Sequence, residues 1–364
     1  MKLPALAPIA AAAVLLASCE RRPLENLNDL GLSGVASIPV HIDWSRSGIT
    51  VPAPAGDEVN RIHRVSIRFF PKDGSPAFDR YLEEPDITNG VIEVPIGKYS
   101  VIVFNETVDD VAWWDGAITF TDINSYEKFA AHAVPYDQAQ LAASYPFFQP
   151  AAGEKVVKGP SPRKLASWSI DNFEVTQGMA MPDCSTAATQ ASDANMMKAL
   201  TDIEMRGLTY NVTVTASVKN LTSSQINYCY VSGLADMVYM GSAITAQSTA
   251  TTPFLLNGRT LINDTDGTTT HSFLSFGRTP ETGVENYAVS MDVLYKNGEL
   301  YTPNPAMGLP SLKNIDVTNQ VELSRRGIDY NINIAITVML EFIDGVIEGG
   351  ITVDDWKDKE FIIN

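Results

Sequence analysis

The sequence predicts an all-β protein built from two tandem antiparallel β-sandwiches, and three observations carry that expectation. The chain has 364 residues, a length that suits two domains better than one. Apolar residues recur at every second position in run after run, the period of a half-buried strand. Glycine, proline and asparagine punctuate these runs, and helical periodicity is almost missing. A hydrophobic content of 45% is enough to fill packed cores. With 26 Lys and Arg against 43 Asp and Glu, the net charge is −17. So acidic a balance argues against nucleic acid as a partner, and against electrostatic docking on an anionic membrane, because both need clustered cations.

The chain opens with Lys2 and an alanine-rich apolar run from Ala5 to Ala17. A membrane-spanning helix needs about 20 apolar residues, so this run reads as the core of a signal peptide. It ends in Leu16-Ala17-Ser18-Cys19, which resembles the bacterial lipobox. There a diacylglycerol alkylates the cysteine thiol, the chain is cut before the cysteine, and the new amine is acylated. Cys19 is therefore the expected lipidation site and mature N-terminus. Several acyl chains give stable anchoring where one is marginal. The expected organisation is a lipoprotein signal peptide (1–18), a tether (19–34), an N-terminal β-sandwich (35–178), a linker (179–199) and a C-terminal β-sandwich (200–364).

In the first sandwich, Ile38, Val40, Ile42 and Trp44 alternate along one strand, and Ile62, Val65, Ile67 and Phe69 mark the next. "PKDGSP" is dense turn punctuation. "GVIEVPIGKYSVIVFNET" holds two strands around Pro95-Ile96-Gly97, the second apolar on both faces, as expected for a strand in the middle of a sandwich. "DINSYEKFAAHAV" (122–134) is the best helix candidate, with a capping Asn124 or Ser125 and Tyr126, Phe129 and Ala133 on one face. "MAMPDCSTAATQASDAN" loses all periodicity and reads as the linker. Beyond it, "TYNVTVTASV" alternates strictly, Asn297-Gly298 and Asp266-Gly267 each suit a hairpin turn, and "YNINIAITVMLEF" reads as one long strand. The C-terminal "ITVDDWKDK" is expected to fold into its own domain rather than serve as a donor strand.

No catalytic or nucleotide-binding motif is present, so no enzymatic activity, cofactor or metal is expected. "NDTDGTTTH" looks like a calcium loop but carries Ile262 where the EF-hand needs its first acid. Glu83-Glu84, Asp109-Asp110 and Asp354-Asp355 are adjacent pairs, and neighbours on a strand point to opposite faces. His41, His63, His132 and His271 are scattered and suggest no shared ligand. Cys184 and Cys229 lack metal spacing. A disulfide between them is open, and a buried thiol on a strand is the simpler expectation for Cys229. Trp113-Trp114 offers a sugar-stacking platform, the basis of an alternative reading as a surface glycan-binding lipoprotein of a polysaccharide uptake system.

Several phrases in a fixed order resemble the fimbrillin-type lipoproteins of Bacteroidetes: "CERRPLENL", "VHIDWS", "VPIGKYSVIVFNE", "LSFGR", "IDVTNQV" and the closing "ITVDDWKDKEFIIN". The resemblance spans nearly the whole mature chain. It implies two transthyretin-like, Greek-key sandwiches on an outer-membrane lipoprotein, and the role of a fimbrial anchor or of an accessory or tip subunit. The implied partners are other fimbrial subunits and a host or bacterial surface ligand. In polymerising members, a trypsin-like protease cuts after an arginine of the first domain, the first strand leaves, and a strand of the next subunit takes its place. Arg46, in "DWSRSG", is the candidate processing site, as a residue of an exposed polar turn. Arg61 and Arg64 are expected in a loose loop that offers equally accessible bonds.

Overall fold

The computed structural model describes residues 34–57, 61–110, 114, 116–158, 163–176, 200–219, 224–255, 260–261, 267–280, 287–295, 299–300, 302–303, 311–323, 333–341 and 352–353. The first half runs β1 (Val35–Asp43), β2 (Arg64–Pro71), β3 (Phe78–Glu83), β4 (Asn89–Pro95), β5 (Gly97–Asn105), β6 (Ile118–Thr121), β7 (Ala130–Ala133), α1 (Gln138–Ser144) and β8 (Ala166–Val175). Then follow β9 (Ile203–Glu204), β10 (Arg206–Gly207), β11 (Tyr210–Lys219), β12 (Ser224–Ala235), β13 (Met237–Tyr239), β14 (Thr249–Leu255), β15 (Thr260–Leu261) and β16 (Gly267–Ser275). The last elements are β17 (Ala288–Tyr295), β18 (Ile315–Asp316), α2 (Thr318–Leu323), β19 (Asn333–Glu341) and β20 (Thr352–Val353). The fold is therefore nearly all β, as the alternating runs predict.

A three-stranded sheet, β4-β1-β9, faces a five-stranded one, β10-β8-β5-β2-β3. Between them Ile38, Val40, Ile42, Ile67, Phe69, Val101, Val103 and Phe173 form one core. β5 is central, and both of its faces are buried. Its other face gives Ile102 and Phe104 to a second core, shared with Trp114, Phe129, Ala235, Val238 and Phe276. That core lies under a small sheet, β13-β7-β6, which draws strands from both halves of the chain.

The other large pair of sheets is β15-β16-β11-β19-β20 and β14-β12-β17-β18, closed over Val212, Val214, Cys229, Val231, Phe273, Val289 and Met291. Sequence alternation implies antiparallel pairing throughout. Most pairs obey it, but β11 runs parallel to β19 along nine residue pairs, and β1 runs parallel to β9. β15 pairs antiparallel with β16 beside Asp266-Gly267, but Gly267 itself lies in the ladder opposite Leu261 rather than in a turn, and Asp266 is outside the described residues. β20 pairs with β19 at Val338 and Met339. By hydrogen bonding, residues 203–207 belong with the first pair of sheets, and the second begins at Tyr210.

The helix expected in the first half is not formed. Residues 122–134 form no helix: turns at Ser125 and Phe129 lead into β7, which pairs with β6 on one side and β13 on the other. Helical periodicity over so short a run is weak, and the slot between two strands satisfies the backbone of Ala130–Ala133 on both edges. Helices do form at α1, capped by the Asp137 carboxylate accepting from Gln140 N at 2.8 Å, and at α2.

The segment around α1 also ties the two halves together. Val157 N donates to Thr251 O at 3.0 Å, and Thr251 N donates to Lys155 O at 2.8 Å. Beside these bonds Phe148 stacks on Tyr230 with centroids 4.3 Å apart, and Tyr145 meets Tyr228 and Tyr230 edge-on. Phe148→Ala is expected to cost about 1–3 kcal/mol, the stacking plus part of a cavity term. Urea denaturation followed by tyrosine fluorescence would measure it, and an unchanged midpoint would mean that this aromatic cluster does not hold the halves together.

Candidate functional site

β1 and the turn after it are the functional candidate, because strand exchange and proteolysis both act there. β1 alternates as its sequence demands, with Ala36, Ile38, Val40 and Ile42 buried. It pairs antiparallel with β4 from Val35↔Pro95 to His41↔Asn89. One more bond closes the ladder at each end: Ile42 N donates to Thr88 O at 2.8 Å, and Ile96 N donates to Gly34 O at 2.6 Å. Even-numbered residues of β1 thus turn their amides towards β4, and odd-numbered ones turn away. Pro39 falls on the away side, where its missing N–H costs no ladder bond.

On that away side β9 covers only Ile42 and Asp43. Along Val35–His41 the edge has no strand partner among the described residues. A proline on such an edge also hinders unwanted pairing.

Arg46 sits in a closed turn rather than a loose one. The Asp43 carboxylate accepts from Ser45 N at 2.8 Å and from Ser45 Oγ at 3.0 Å, and these hydrogen bonds hold its carboxyl below the ordinary range. Ser47 N donates to Trp44 O at 3.0 Å, and Ser47 Oγ donates to the same carbonyl at 2.7 Å. Ile49 N returns a bond to Ser47 Oγ at 2.9 Å. Gly48 takes φ 70°, the left-handed conformation that a glycine adopts freely. Ser47 is 3% exposed, so the residue after the candidate bond is buried, contrary to the exposed polar turn that its composition suggests. Lys164 Nζ donates to the Gly48 carbonyl.

Residues from far along the chain complete the closure. The Arg46 guanidinium meets the Glu204 carboxylate at 2.6 Å, both side chains 37% exposed. Met205 N donates to Asp43 O at 2.9 Å, and Gly207 N donates to Arg46 O at 3.2 Å. Sequence reasoning misses Glu204, Met205 and Gly207. Glu204 lies 158 residues from Arg46, and no local pattern marks the pair.

Arg61 pairs with Glu84 at 2.7 Å. Arg64 is not in a loop: it opens β2, bridges to Glu83 at 2.7 Å, and its carbonyl accepts from Glu106 N at 2.7 Å. The bond after it leads into fully buried Val65.

Trp114 is 1% exposed, with its Nε1 donating to Thr107 O at 2.8 Å and its ring edge-on to Phe120. It is a core residue and forms no sugar platform, and Trp113 lies outside the described residues. Cys229 is a buried free thiol on β12 whose ionisation is pushed up by burial. Cys19 and Cys184 lie outside the described residues.

The histidines are engaged separately. His41 meets Asn89 at 2.6 Å, His63 meets Glu84 at 3.1 Å and His132 meets Thr121 at 2.8 Å, while the His271 ring stacks on Phe254. Burial lowers the pKa of His132 and of His271. Among the described residues no group of three or more His, Cys, Asp or Glu is placed to hold a metal ion, and no helix is long and apolar enough to cross a membrane.

Comparison with known proteins gives three kinds of likeness. Residues 18–254 match a family described as a domain of unknown function, DUF5119. A curated relative from Bacteroides ovatus, named "Putative fimbrium anchoring subunit Fim4B", is 26% identical over 221 residues, 60% of this chain and 53% of its own length. The chain thus spans about half the length of the curated relative it matches. Among solved structures, "a putative adhesin from Bacteroides ovatus" is similar with a TM-score of 0.51 at 17% identity, covering 91% of this chain and 96% of that one. "The fimbrial anchor protein Mfa2 from Porphyromonas gingivalis" aligns with a TM-score of 0.43 at 13% identity, over 88% of this chain and 97% of that one.

Proposed function

This chain belongs to the DUF5119 family, a domain of unknown function matched over residues 18–254, and from that premise we propose that it is a lipid-anchored fimbrial anchor or accessory subunit of the outer-membrane surface. In this reading Cys19 carries the lipid, and the chain plays a structural and adhesive role rather than a catalytic one. Its two sandwiches are transthyretin-like and divide as 35–178 and 200–364, with the second lending residues 203–207 to the first. Other fimbrial subunits dock on it by strand addition, in which main-chain hydrogen bonds supply affinity and alternate side chains supply fit. The name of the Bacteroides ovatus relative supports a place at the base of a fimbrium.

The observation that favours an anchor over a polymerising stalk is the state of β1. It fills its slot against β4 with four buried apolar side chains, and the Arg46–Ser47 bond behind it is folded into a closed turn. While that turn stays folded, the subunit keeps its first strand, and with it the link to the lipid.

Intact mass and N-terminal sequencing of the protein recovered from its own cells test the reading. An acylated chain beginning at Cys19 is expected. A lipid-free chain beginning at Ser47 would overturn the anchor assignment and make this a polymerising subunit.

A further inference from the structure

The residues that close the Arg46 turn belong to the stretch that leads into the second sandwich. β9 lies parallel to β1 at Ile42 and Asp43, and β10 lies antiparallel to β8 at Ser167 and Ala166. With two residues between, β10 is followed by β11, a central strand of the second sandwich. Residues 203–207 thus form a short strap that seats the fully buried Ile203 and Met205 side chains in the first core and leads directly into the second sandwich. Three of its bonds fall on the turn itself: Met205 N to Asp43 O, Glu204 to the Arg46 guanidinium, and Gly207 N to Arg46 O.

An endoprotease of trypsin type binds its substrate as an extended strand and draws the arginine side chain into an acidic pocket. The folded turn offers neither. The Asp43 and Arg46 carbonyls are already hydrogen-bonded, the guanidinium already faces a carboxylate, and Ser47 is buried. Hydrolysis of the Arg46–Ser47 amide, which consumes one water and leaves a carboxylate on Arg46 and an amine on Ser47, therefore requires the turn to open, and the strap's bonds to Asp43 and Arg46 must break for it to do so.

We infer that residues 203–207 are a latch on the Arg46–Ser47 bond: docked, they shield the bond and clip the end of β1; lifted, they expose both. This rests on the reading of β1 as the strand whose retention or loss decides the subunit's role. It adds that the position of the second sandwich controls that decision.

The test is timed trypsin digestion of the full mature chain, in an Arg206→Gln background that removes the tryptic bond inside the latch. Fragments beginning at Ser47 and at Ile62 are followed by mass spectrometry. The bond after Arg61 is the internal reference, since the Arg61 side chain pairs with Glu84. Gly207→Pro removes one latch donor, and Glu204→Gln removes the carboxylate charge that faces Arg46. Loss of one such bond is expected to speed the appearance of the Ser47 fragment about tenfold relative to the Ile62 fragment. Equal acceleration of both fragments would mean general loosening and would overturn the latch. So would a parent chain cut after Arg46 as fast as the urea-unfolded chain, or latch variants cut no faster than the parent. If Gly207→Pro fails to fold, Glu204→Gln carries the same comparison. The anchor reading fails separately: a cell-derived chain beginning at Ser47 sinks it while leaving the digestion result intact.

Discussion

Ile38→Asp is expected to unfold the first sandwich at neutral pH. Ile38 is 1% exposed and pairs across the β1–β4 ladder with Ile92, itself buried. The substitution removes a core side chain, worth about 2–5 kcal/mol, and puts an unpaired carboxylate in its place, which adds several more. That sum matches the whole stability of a typical domain, about 5–15 kcal/mol. Ser37→Asp, one residue away on the exposed face of the same strand, is expected to change stability by no more than about 0.5 kcal/mol. Urea denaturation followed by tryptophan fluorescence distinguishes the two, since Trp44 and Trp114 are both buried in the first half. Equal effects from the two substitutions would mean that β1 is not seated in this register. The contrast bears on function because everything proposed for this subunit depends on β1 staying in its slot.

Arg68→Met is the second large effect. Arg68 on β2 faces Asp79 on β3 at 2.6 Å, the side chains 6% and 18% exposed, and its Nε donates to Ile123 O at 2.8 Å. It thereby fastens the first sandwich to the loop that leads into β7. Breaking one side of a buried pair strands the other charge, and about 3–5 kcal/mol is expected to be lost. Burial already pushes the Asp79 carboxyl above its ordinary range, with Arg68 pulling it back. Without Arg68 the folded chain holds a proton on Asp79 more tightly than the unfolded chain does. The variant should therefore regain stability as pH falls through the raised folded value towards the ordinary carboxylate value, and lose it as pH rises. Arg68→Met with Asp79→Leu is expected to recover most of the loss at neutral pH. Thermal melts at pH 5 and pH 8 would decide it; a loss independent of pH, undiminished in the double variant, would show that Arg68 acts through its contact with Ile123 alone.

The strands were legible because a strand facing a core writes its burial into every second residue. Ile38, Val40 and Ile42, or Val212, Val214 and Ala216, need no partner to be recognised as one face. β5 announced a central place by being apolar on both faces. The run at 122–134 misled because alanine suits a helix in isolation, whereas β7 has strands on both edges. The candidate site was legible only in part. The Arg46 turn could be found from its polar residues, but its closure by Glu204, Met205 and Gly207 could not.

By itself the sequence determined the fold class, the alternating core positions and a lipobox-like cysteine at the start. The tertiary structure alone decided which strand lies beside which: the parallel pairing of β11 with β19, the sheet shared between the halves, and the strap over Arg46. The reason is physical. Burial periodicity is a property of single residues along one segment, whereas backbone N–H and C=O groups are the same in every strand and name no partner. Partner choice is settled only when the cores close and bring residues 158 apart within bonding distance.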